Sequence, residues 1–211
     1  MTWRPFIDHA DVLWAGLFLT VRLTVFGLMG SFAVGVTVGA VQAFSAFLGK
    51  HICALYVEVM RNTPLVVKLF FLYFVLGLDA FPAALLALII HQSAFIADVT
   101  AAGLRSIPRE QIEAASTTGL RHYQIFGYIL FPQFLRVTIP PFTNQFIELL
   151  KNTALVSLIG LQDLTFVAQN IQIETYRYLE SFIVVTVLYV TLAFAIVAAL
   201  RALQKRLELR S

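Results

Sequence analysis

Two short stretches set opposite charges into apolar surroundings: EVMRNTPLV at 58–66 and ELLKNTALV at 148–156. Aligned at a separation of 90 residues (58 against 148), they share Glu, Asn-Thr and Leu-Val, with Arg61 matched by Lys151 and Asn62 by Asn152. In each, acid and base are three residues apart, on one helix face and within pairing range. A charge at membrane depth costs on the order of 2.5–3.5 kcal/mol on insertion scales, so such groups pair or line a cavity. The chemistry this set suits is the holding of a zwitterion. A carboxylate needs donors, which Arg61 or Lys68 could supply; an ammonium needs acceptors, which Glu58, Asp98 or Asp163 could supply. For each of these residues the competing reading is a structural ion pair or a side chain snorkelling to an interface.

Just after the charges of the first stretch, Thr63-Pro64 reads as an N-cap followed by proline at the first helical position. Pro64 also removes an N–H and disturbs the carbonyl of Met60. A helix broken at membrane depth exposes backbone polar groups, which is tolerated only beside protein or a watery cavity.

Covalent chemistry finds no foothold. None of the eleven glycines starts the G-x-x-x-x-G-K-[S/T] run that wraps phosphates, and CxxC, HExxH and GxSxG are absent. The four histidines are dispersed, and one cysteine, Cys53, allows neither an internal disulfide nor a multi-cysteine metal site. The chain is therefore expected to be no enzyme and to bind no metal and no cofactor itself.

The elements that must position these residues are apolar helices. Hydrophobic residues make up 59% of the 211 and charged residues 13%, about half the usual share of a soluble domain. Mean hydropathy is +0.83. Lipid is the solvent such a composition suits, and no basic stripe or stacking motif suggests a nucleic acid. Runs of ~20 apolar residues predict five membrane helices, at about 12–47, 52–77, 80–103, 137–160 and 181–203. The first is too long, and lacks the basic start, for a cleaved signal peptide. The third span carries Asp98 and the fourth Glu148 and Lys151.

Basic residues prefer the cytoplasm. The tail with Arg201, Lys205, Arg206 and Arg210, the 105–132 segment and Lys50 all fall on one face if there are five crossings. This predicts an N terminus outside and a C terminus in the cytoplasm, with 161–180 facing out.

The largest cytoplasmic feature is then EAASTTGLRHYQIFGYILFP at 113–132. Ile112–Gly119 predicts one short helix stopped by Gly119, and Leu120–Tyr128 a second, with Pro132 ending it before the fourth span. A helix–glycine–helix elbow of this size cannot fold alone. It is either a knob for another protein to grip or an ordinary interfacial helix.

That stretch resembles the EAA loop of ABC-importer permease subunits, E-A-A, three residues, G, nine residues, I-x-L-P. Glu113, Ala114, Ala115, Gly119, Ile129 and Pro132 fall in register, while Phe131 stands where leucine is usual. VEVMRNTPLVVKLFFLYF at 57–74, FIADVTAAGLRSIPREQ at 95–111 and IPPFTNQFIELLKNTALVSLIGLQDLT at 139–165 extend the resemblance to the polar amino-acid branch of that family. Asn62 and Lys68 depart from its usual glycine and glutamine.

The resemblance implies an all-α integral membrane fold, a type I importer permease, as a single transmembrane domain over 1–211 with a coupling loop at about 105–132. It implies that Glu113, Ala114, Ala115, Gly119, Arg121 and His122 dock to a separate ATPase dimer, which uses the ATP. Its further implied partners are a second permease subunit, identical or paralogous, an extracytoplasmic amino-acid-binding protein and membrane lipid, in a bacterial inner membrane. The substrate-pathway candidates are Glu58, Arg61, Thr63, Lys68, Asp98, Lys151, Asn152 and Asp163. Lys68 is expected either to be neutralised by Glu58 and Asp98 or to favour a substrate with an extra carboxylate. The alternative reading is an ion-coupled carrier or channel that works without an ATPase, with Glu58, Asp98 and Lys68 as a relay.

Overall fold

A computed structural model describes residues 4–208; Arg210 of the basic tail lies outside them. Helices make up the ordered structure: α1 (Arg4–Asp8), α2 (Ala10–Phe44), α3 (Phe47–Asn62), α4 (Leu65–Phe70), α5 (Ala80–Arg105), α6 (Arg109–Thr117), α7 (His122–Ile125), α8 (Phe131–Asn152), α9 (Leu164–Thr175) and α10 (Tyr178–Glu208). Three of them, α2, α5 and α10, are long and apolar enough to cross a membrane. A fourth crossing is made if His122–Ile159 and Leu164–Thr175, bent by 52° at their junction, count as one. The predicted second span, 52–77, is not one apolar helix. It comprises α3, a break at Thr63-Pro64, α4 and a π-helical segment at Phe71–Val75.

Helices α2 and α5 form the central pair, and small residues let them approach. Gly27, Ser31, Gly35 and Gly39 recur every fourth residue along α2 and are all buried. A Cβ on Gly39 would lie 2.5 Å from the Ala97 carbonyl oxygen, and one on Gly35 2.6 Å from the Ile96 side chain. In lipid, burial of apolar surface does not draw helices together, so close backbone packing and interhelical hydrogen bonds carry the association. Such bonds tie α5 to its other neighbours. Tyr56 of α3 shares a 2.6 Å hydrogen bond with Ser93, and Gln92 donates at 2.7 Å to Gln145 Oε1 of α8.

Near the Thr63-Pro64 break, Leu65, Leu69 and Leu72 pack with Leu23, Ala84, Leu88 and Val156. Toward the elbow, Ile96, Ile107, Phe134 and Phe142 form a second core. By contrast, α10 buries none of its most apolar stretch within this chain, with Phe182, Val187 and Phe194 exposed.

The elbow differs from expectation at one proline. Pro132 does not end the second elbow helix. The chain runs from α7 through a π-helical segment at Phe126–Leu130 straight into α8, with Pro132 in its first turn. A proline near a helix start costs no intrahelical bond, and the π-segment just before it re-spaces the upstream carbonyls.

Candidate functional site

The two repeated stretches break at matching residues. Helix α3 ends at Asn62, and the α-helical part of α8 ends at Asn152, its aligned partner. Beyond them the paths diverge. At Thr63 the chain becomes extended (φ −93°, ψ 127°) before Pro64. After Asn152 it tightens into a 3-10 segment over Thr153–Ile159. Proline explains the difference, since only the first copy lacks the N–H that would continue the helix. Thr63 does not act as the expected N-cap. Its hydroxyl donates back to the Val59 carbonyl at 2.8 Å, which closes α3 rather than opening α4.

Beside the last turns of α3 lies a wide-open cavity of about 340 Å³ at the surface of the single chain, lined by Ala54, Val57, Glu58, Arg61, Asn62 and Phe95. This is at the small end of the ligand-pocket range of about 300–1,000 Å³ and has room for one small metabolite. Arg61 does not pair with Glu58. Its Nη1 reaches Asp98 Oδ2 on α5 at 2.6 Å, and the guanidinium carbon sits 5.3 Å from the Phe95 ring centroid. Glu58 is exposed to the cavity and has no hydrogen-bond or ion-pair partner among the described residues. In the second copy the i,i+3 pair does form, with Lys151 Nζ 2.6 Å from Glu148 Oε1 and both side chains more than half exposed.

The other candidates are engaged elsewhere. Lys68 is buried and is not part of the cavity wall. Its ammonium contacts the carbonyls of Met60 (2.7 Å) and Thr63 (2.6 Å) and His91 Nδ1 (3.1 Å). It touches neither Glu58 nor Asp98. Asp163 is fully buried as the N-cap of α9, accepting from the backbone N–H groups of Thr165 (3.2 Å) and Phe166 (3.0 Å) and from the Tyr189 hydroxyl (3.2 Å).

Phe95 escaped the sequence reading, in which His91, a histidine in an apolar helix, reads only as a satisfied packing residue. The signal for Phe95 was its place three residues before Asp98, on the same face of α5. For His91 it was the one-turn spacing to Phe95, whose ring packs on it at 5.2 Å.

The elbow forms a second candidate surface. Helix α6 carries Glu113 and Ala114 exposed and Ala115 buried, and Gly119 takes φ +79°, a left-handed value that glycine adopts without strain. Arg121 and His122 are exposed at the start of α7, where the Arg121 N–H is satisfied by Gln124 Oε1 at 2.9 Å. Gln133 ties α8 to Gln111 of α6 at 2.8 Å. Among the described residues, no group of three or more His, Cys, Asp or Glu is placed to hold a metal ion.

Residues 14–209 match the family described as binding-protein-dependent transport system inner membrane component, and the chain belongs to it. It is a multi-pass bacterial inner-membrane protein, the non-catalytic permease component of an ABC-type importer in the amino-acid uptake family. It is 31% identical to the glutamine transport system permease protein GlnP of Escherichia coli, with 98% of each chain covered. It is 34% identical to the probable glutamine permease protein GlnM of Bacillus subtilis, with 95% of each covered. The fold superposes on a crystal structure of an amino acid ABC transporter with histidines at a TM-score of 0.86 and 30% identity, covering 98% of this chain and 99% of that one. An inward-facing MetNI methionine transporter shares the fold at a TM-score of 0.79 and 21% identity, with 95% and 98% covered. Membership implies the usual company of such importers: an ATPase, a second permease and a binding protein.

Proposed function

We propose that the chain imports a polar amino acid, held as a zwitterion between Glu58 and Arg61. The observation that carries this reading is the unpaired Glu58 carboxylate facing a cavity whose wall also presents the Arg61 guanidinium. The substrate ammonium meets Glu58, and the carboxylate meets the Arg61 donors not taken by Asp98. Asn62 adds an amide at the broken end of the helix. The wall and its bonded neighbour Asp98 carry two acids against one base, which disfavours an acidic substrate. With Lys68 bound to carbonyls, the expected preference for an extra carboxylate loses its donor.

In this reading the chain crosses the bilayer five times, the broken α3–α4 unit counting as one crossing. The N terminus lies outside and the C terminus in the cytoplasm. The elbow from about 105 to 132 seats in an ATPase subunit, with Glu113, Arg121 and His122 as polar contacts and Gly119 as the turn. Two ATPase subunits, a second permease copy or paralogue and an extracytoplasmic amino-acid-binding protein complete the machine. The lipid-length face of α10, unburied in the single chain, supports a neighbour or lipid there. Lys151 and Asn152 lie at the matching break of the second copy and line the same route.

Purification in mild detergent tests the assembly. An ATPase subunit should co-purify, and a reporter fused after the last residue should be cytoplasmic while a tag at residue 2 is accessible from outside. Loss of the ATPase under all mild conditions, with transport continuing without ATP, would overturn the reading.

A further inference from the structure

We propose that Lys68 holds the second span broken, supplying from its side chain the hydrogen bond that Pro64 withholds from the Met60 carbonyl and a second to the Thr63 carbonyl at the break, and that it thereby positions the cavity wall. Pro64 has no N–H, and the extended backbone at Thr63 turns the chain away from the helix axis. The Met60 carbonyl thus loses its i+4 N–H partner, and the Thr63 carbonyl lies at the break between the two helices, where an unmet acceptor in a membrane protein is costly. Val59 is served by the Thr63 N–H and hydroxyl, at 3.1 and 2.8 Å. Met60 and Thr63 are served by Lys68.

The geometry fits this task closely. Lys68 lies one turn into α4, and helical side chains lean back toward the N-terminus, so its ammonium returns across the break. An ammonium has three donors and no acceptor. Three groups surround it, the Met60 and Thr63 oxygens and His91 Nδ1, the last accepting in the tautomer that carries its proton on Nε2. The positive charge also faces the negative end of the α3 dipole.

From His91 a line of contacts leads to the cavity. Its ring packs on Phe95, and the Phe95 ring lies against the Arg61 guanidinium. Lys68 thus fixes Glu58 and Arg61 from two sides, through the end of α3 and through α5. It touches no substrate in this arrangement and is a positioning residue. The inference rests on the Glu58–Arg61 reading for its functional part only.

The test uses the whole transporter with Lys68→Met, Lys68→Gln and the double variant Lys68→Met with Pro64→Ala. Amino-acid uptake is measured for each. In a separate Cys53→Ser background, thiol labelling of Asn62→Cys reports on the break itself. Lys68→Met, which keeps length but loses every donor, is expected to raise the half-saturation concentration about tenfold and to change the labelling rate at 62 about threefold or more. Lys68→Gln, with two amide donors, should fall between the two. In the double variant an alanine N–H can meet the Met60 carbonyl if the helix runs on through 64. Its membrane level should therefore match wild type even if Lys68→Met alone accumulates poorly, while the raised half-saturation persists because the break has closed.

Unchanged labelling at 62 in Lys68→Met would overturn the proposal, as would a poorly accumulating Lys68→Met that Pro64→Ala fails to restore. Altered labelling with an unchanged half-saturation would keep Lys68 as the holder of the break and refute the Glu58–Arg61 cavity as the substrate site.

Discussion

Arg61 reaches across to Asp98 at 2.6 Å instead of back to Glu58 one turn away on its own helix. That choice leaves Glu58 facing the cavity without a partner among the described residues, and it pins α3 to α5 next to the helix break. A pair with Glu58 would have cancelled both charges of the wall.

Asp98→Asn should therefore loosen Arg61 without emptying the cavity. The freed guanidinium can swing to Glu58, and the self-pairing competes with substrate. The expected result is a half-saturation concentration raised about tenfold, with normal membrane levels and normal ATPase binding. Uptake kinetics check it, and an unchanged half-saturation would show that the Arg61–Asp98 pair is only a surface contact.

Gly39→Leu should damage the fold rather than the site. The new Cβ would meet the Ala97 carbonyl at 2.5 Å and the Thr100 Cβ at 2.6 Å, so α2 and α5 must part. Overpacking of this kind costs about 1–3 kcal/mol. A lowered melting temperature in detergent is expected, with Gly39→Ala milder.

At the elbow, Glu113→Lys reverses an exposed charge, and Gly119→Asp puts a side chain on a φ of +79°. A Cβ at Gly119 has open space around it, so the strain there is in the backbone alone. Both variants should reach the membrane and lose ATPase co-purification or ATP-driven uptake. Normal uptake in both would remove the elbow from the coupling account.

Asp163→Ala should cost about 1–2 kcal/mol of stability through the lost N-cap of α9, while the Tyr189 hydroxyl keeps its contacts with Thr165 and Thr153. Substrate preference should not move. A changed preference order with unaltered melting would instead place Asp163 on the substrate path, as its position in the sequence first suggested.

Local features were legible from the residues. The Asn-Thr repeat, the proline break and the Gly119 turn each depend on a few neighbouring residues, and each has a backbone cause that a sequence carries openly. Partner choice was harder to read. Glu58 and Arg61 are in pairing range on one helix, and only the approach of α5 shows that Asp98 outcompetes Glu58. Lys68 looked like a charge in search of a carboxylate because carbonyls freed by Pro64 four residues earlier are invisible as acceptors in a string of letters. Pro132 misled in the opposite way, since its place in a first turn depends on the π-segment upstream. The five-span count met its limit in 52–77, where three charges and a break leave no single apolar helix.

The most direct measurement is uptake of a labelled amino acid into proteoliposomes that hold the purified permease, its ATPase and the binding protein, with wild type beside Glu58→Gln. The account predicts uptake only with hydrolysable ATP, competed by neutral and basic amino acids more strongly than by glutamate. It also predicts a half-saturation concentration at least about tenfold higher in Glu58→Gln, with unchanged ATPase content. Uptake that persists without ATP, or a Glu58→Gln transporter with wild-type kinetics, would contradict it.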